Sequence, residues 1–85
     1  MRIHEQTLIV EIMMPARQQN RFQGLLLGED GLAVVRCLDP EKKKLQLWTS
    51  AVQKEVLYHW LDELPDSLQV QILDEWVWDD VRRAL

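Results

Sequence analysis

Few side chains in these 85 residues could do chemistry, and their spacing speaks against most of it. Cys37 is the one cysteine. A thiol becomes a nucleophile through a neighbouring base or a lowered pKa. Both histidines, His4 and His59, are far from it in sequence, and it lies mid-strand in the mainly apolar run "LAVVRCL". Cys37 therefore reads as a structural core thiol. His59 stands beside Trp60 at the edge of a helical stripe, and no His/Cys spacing supplies further ligands, so no metal site is expected. Met13 and Met14 alternate across a strand and cannot converge on one ion. The carboxylate pairs Asp62/Glu63 and Asp79/Asp80 read as solvated faces or helix-end charges. No cofactor and no enzymatic activity are expected.

The elements around these residues follow from periodicity. "TLIVEIMM", Thr7 to Met14, reads as a strand, stopped by Pro15. "ARQQNRFQGLLLG" puts Phe22, Leu25 and Leu26 on one helical face, and Gly28 or Gly31 suits the left-handed close. "LAVVRCL", Leu32 to Leu38, is a second strand, with Ala33, Val35 and Cys37 on one face. "DPEKKK" is a turn, because Asp39 bonds its own backbone and Pro40 fixes φ. "LQLWTS" alternates Leu45 and Leu47 against Gln46 and Trp48, completing a hairpin. Ser50 and Gln53 form a capping box for a helix striped by Val52, Val56, Leu57, Trp60, Leu61 and Leu64. Pro65 ends it, and "LQVQIL" returns as a strand with Leu68, Val70 and Ile72 inward.

The order strand, helix, strand, strand, helix, strand predicts an α+β, ferredoxin-like βαββαβ fold. Two helices would cover one face of a four-stranded antiparallel sheet. Ile9, Met13, Gln46, Trp48, Gln69, Gln71 and Leu73 would lie on the other. The chain is expected to be one domain over residues 1–85, with a core at 6–74 and a C-terminal extension at 75–85.

Four tryptophans are many for this length. Trp60 belongs to the helix stripe and Trp48 to the open sheet face. For Trp76 and Trp78 two geometries compete. If the last strand continues, both share the face of Val70 and Ile72. If a short C-terminal helix starts after Asp74, Val77, Val81, Ala84 and Leu85 form its stripe and Trp76 faces out. Asp79 and Asp80 near its start and Arg82 and Arg83 near its end suit the helix dipole and favour the second geometry.

Composition excludes further classes. No apolar run approaches the roughly 20 residues of a membrane helix. Glu5 and Glu11 interrupt the N-terminal apolar run, so no signal peptide is expected. A single cysteine fits a cytoplasmic protein. The net charge of −4 and two short basic runs argue against a nucleic-acid partner.

"GLAVVRCLDPEKKKLQLWTS", followed by an amphipathic helix and a closing strand, resembles a group of small bacterial proteins classed as a domain of unknown function. The resemblance spans residues 7 to 74, and its motifs are structural. The layout is also similar to ACT-type regulatory domains, which bind amino acids where the first strand meets the first helix. That resemblance implies a ligand loop at Met14, Pro15, Ala16 and Arg17. ACT domains usually carry Pro-Gly there, where this chain has Pro15-Ala16. Other families of this layout fail on chemistry. The first loop lacks the cysteine pair of copper chaperones and the Gly-rich cradle of acylphosphatases, and "LAVVRCL" lacks the aromatics of RNA-recognition motifs.

The expected function is a non-enzymatic interaction or regulatory module that forms a homodimer or binds another protein. Its surface would comprise Trp48, Leu73, Trp76, Trp78, Val81 and Leu85. Two alternatives stand beside it: an amino-acid sensor at the ligand loop, and an acidic inhibitor or nucleic-acid mimic that binds a basic protein.

Overall fold

The computed structural model describes residues 6–39 and 44–78. Strand β1 (Thr7–Met13) leads into helix α1 (Ala16–Leu27), then strands β2 (Val34–Asp39) and β3 (Lys44–Ser50). Helix α2 (Lys54–Asp62) and strand β4 (Gln71–Val77) complete the α+β fold. The strands form one open sheet in the order β2-β3-β1-β4, with every neighbouring pair antiparallel. The tip of the expected hairpin turn, residues 40–43, lies outside the described residues.

β1 is central because it is apolar in both directions. Leu8, Val10 and Ile12 point to one face and Ile9 to the other, and all four are buried. A strand covered on both sides reads as a nearly continuous apolar run. On the first face the register sets Val10 beside Leu47 and Ile12 beside Leu45. Phe22 and Leu26 of α1 and Leu57 and Leu61 of α2 join the same cluster. Both helices therefore pack on that face, and Phe22 meets Trp60 with ring centroids 5.7 Å apart. Each such aliphatic side chain contributes about 1.5–3 kcal/mol on burial.

Several local expectations are corrected. Cys37, expected in the core, is exposed. β2 is an edge strand, and its register against β3 shifts between Arg36 and Asp39, so alternation counted from Val35 does not continue to residue 37. The α2 stripe is narrower than expected. Leu57 and Leu61 are buried, with Trp60 and Leu64 partly so, but Val52 and Val56 are exposed. The first turn after Ser50 is a 3-10 helix (Ala51–Gln53) with Ser50 Oγ accepting from Val52 N. Its tighter winding breaks the phase with the α-helix that follows. Gln53 does not close a capping box; its Nε2 donates to Gly31 O at 3.3 Å. In α1 Phe22 and Leu26 are buried, whereas Leu25 is exposed. Of the two glycines, Gly31 takes the left-handed conformation, at φ 71°.

The largest departure is in β4. Leu68 ends a 3-10 turn (Asp66–Leu68), Gln69 is left-handed, and the strand runs from Gln71 to Val77 rather than stopping near Asp74. Glu75, Trp76 and Val77 pair with Val10, Ile9 and Leu8. A helix opening directly after Asp74 is thereby replaced by sheet, and residues 79–85, including Val81 and Leu85, lie outside the described residues. Backbone pairing decides the competition. The central strand would otherwise leave its outer N–H and C=O groups without partners beside Leu8 to Val10.

Candidate interaction surface

A one-residue irregularity positions this surface. Ile72 pairs with Ile12 and Asp74 with Glu11, so Leu73 is an extra residue in β4. A bulge of this kind reverses which face later residues occupy relative to plain alternation. Ile72 stays on the helix side, where it lines a cleft with Tyr58, Leu61, Asp62 and Val70. Beyond the bulge, Glu75 and Val77 take the helix side and Asp74 and Trp76 the open side. Continuous alternation would have put Trp76 with Ile72; the bulge separates them.

The register then lines up two rows across the open face. One row is Val34, Trp48, Ile9 and Trp76, from β2, β3, β1 and β4 in turn. The other is Arg36, Gln46, Glu11 and Asp74. Ile9 is only 1% exposed although neither α1 nor α2 packs on this face. Large neighbours must shield it, and Trp48 and Trp76 flank it directly. Trp78, whose N–H donates to Thr7 O at 2.8 Å, reaches across to Trp48 with ring centroids 5.3 Å apart. All three indoles are half-buried.

Polar groups fix the central ring. Trp48 Nε1 donates to Gln46 Oε1 at 3.1 Å. The Arg36 guanidinium lies 4.8 Å from the Trp48 ring centroid, within cation–π range. Trp48 also borders a cleft of about 370 Å³ at the sheet end, with Gln6, Thr7, Gly31 and Ser50 on its walls. Of the residues expected at the interaction surface, the structure brings Trp48, Trp76 and Trp78 together. Leu73 sits at the bulge and is 40% exposed.

The ligand loop separates differently. Met13, Met14, Pro15, Gln69 and Gln71 line a cleft of about 220 Å³ where β1 meets α1. Met14 itself is buried in the core cluster, and Ala16 and Arg17 are exposed without lining the cleft. Among the described residues that line it, none carries a charge to meet the carboxylate or ammonium of an amino acid.

One polar cluster on the helix side was not anticipated. Tyr58 Oη donates to Glu75 Oε1, and Lys54 Nζ pairs with Glu75 Oε2 at 2.9 Å. The Tyr58 hydrogen bond, then Lys54, holds the Glu75 carboxyl below its ordinary range. Burial, and then the Glu75 carboxylate, push the Tyr58 hydroxyl up. The cluster ties α2 to β4. His59 is exposed and meets Glu63 Oε2 at 3.3 Å. Among the described residues, no group of three or more His, Cys, Asp or Glu could hold a metal ion, and no helix is long and apolar enough to cross a membrane.

Arg36 also belongs to the surface, and Ile9 lies buried beneath it. Their alternation was visible in the sequence; the strand register that brings them to Trp48 was not. No family model matches the chain, and the searches of curated proteins and solved structures return no match.

Proposed function

We propose that this protein is a non-enzymatic interaction module that self-associates through the open face of its sheet. The observation that carries the reading is that Trp48 and Trp76 flank Ile9 while Trp78 packs against Trp48. Tryptophan and arginine are the side chains most enriched where binding energy concentrates, and Arg36 lies against the same ring system. The face alternates bulky rings with smaller residues and carries charges of both signs, which suits a second copy of the same surface.

The strand order and antiparallel pairings support a ferredoxin-like arrangement, in which the helix-free face is the natural place for association. Dilution of the intact protein from about 100 μM to 0.1 μM, followed by tryptophan emission, tests the reading. Dissociation should expose the indoles to water and shift emission to the red. Unchanged emission across that range would contradict self-association in which these rings become buried.

A further inference from the structure

We infer that the two copies meet face to face about a two-fold axis parallel to the strands, between β1 and β3, so that Arg36 of each copy pairs with Asp74 of the other. The inference rests on the self-association proposed above and adds its register. Its basis is the distribution of charge along one row. Arg36 stands on one edge strand, Asp74 on the opposite edge, and Gln46 and Glu11 lie between. Neighbouring strands are about 4.8 Å apart, so Arg36 and Asp74 are roughly 14 Å from each other within one chain, too far to pair. Both are exposed. Asp74 Oδ1 accepts the Glu75 N–H at 2.7 Å.

Rotation about this axis lays β2 over β4 and β3 over β1. The positive end of each row then faces the negative end of the other. The same operation sets Trp76 over Val34 of the second copy, large against small, as interdigitating sheet faces require. Val34 is 63% exposed and could receive a ring. An axis across the strands through the tryptophan row behaves differently. It stacks Trp48 on Trp48 and Trp76 on Trp76, and it turns Arg36 away from both acids.

Charge reversal in trans tests this register. Arg36→Glu places like charges at both contacts of its own dimer, and so does Asp74→Arg. Each single variant should dissociate about tenfold or more readily than the parent, since like charges brought together at an interface oppose association. An equimolar mixture of R36E and D74R should recover association, because the mixed dimer has opposite charges at both contacts. Sedimentation equilibrium of the parent, each variant and the mixture reads the outcome, with thermal melts verifying that both variants fold. If the parent associates but the mixture is no stronger than the single variants, the register is overturned and the wider reading stands. A parent that remains monomeric to about 100 μM overturns both.

Discussion

At the scale of single residues, Glu75 is the most informative. Its carboxylate joins α2 to β4 through Tyr58 and Lys54. The Lys54 pair is half exposed and adds little by itself. The Tyr58 hydroxyl carries most of the link. Tyr58→Phe should therefore lower stability by about 1 kcal/mol and return the Glu75 pKa toward its ordinary value, read by urea denaturation and carboxyl NMR titration. The pH dependence follows from the same shift. A carboxyl held low when folded contributes stability above its ordinary pKa of 4.5, and that contribution is lost as pH falls through the lower folded value. Between pH 6 and 3 the parent should lose more stability than Tyr58→Phe. Equal acid profiles would show that the hydrogen bond does not set the Glu75 pKa.

At the scale of elements, the sequence was most legible where one period held without interruption. β1, β3 and the helical identity of α1 and α2 follow directly from alternation and from the i, i+3, i+4 spacing. Legibility failed where a local irregularity reset the phase. The bulge at Leu73 moved Trp76 to the open face, and the register shift beyond Arg36 left Cys37 exposed. The 3-10 turn at Ala51–Gln53 took Val52 out of the α2 stripe. Each irregularity is a backbone event, set by pairing with a distant strand or by a single turn of altered winding. Side-chain pattern along one segment carries little record of it. The site shares this division, since Trp48 could be assigned to its face from β3 alone, whereas Trp76 needed the pairing of β4 with β1. The corrected α2 phase makes a sharp contrast. Leu57→Ala should cost about 2–5 kcal/mol, as for a fully buried leucine, whereas Val56→Ala on the exposed side should stay within about 0.5 kcal/mol. Comparable losses at both positions would restore the broader stripe.

At the scale of the molecule, two helices cover one face of a four-stranded sheet, and on the other Trp48 and Trp76 flank the buried Ile9. The net charge of −4 opposes close approach of two copies, so the proposed association relies on apolar contact and on locally opposed charges. Salt should therefore act in two directions, screening the general repulsion and weakening specific pairs. Trp48 is the side chain on which these contributions converge, because it borders Ile9, stacks with Trp78 and holds Arg36. Trp48→Ala should weaken self-association at least tenfold, as expected for a central interface tryptophan. Self-association through this face is tested most directly by sedimentation velocity of the protein and of Trp48→Ala, from about 1 to 100 μM. The parent should shift from monomer to dimer with rising concentration, and the substitution should displace that shift to higher concentration. A parent that sediments as a monomer throughout, or a dimer indifferent to Trp48→Ala, would contradict self-association through this face.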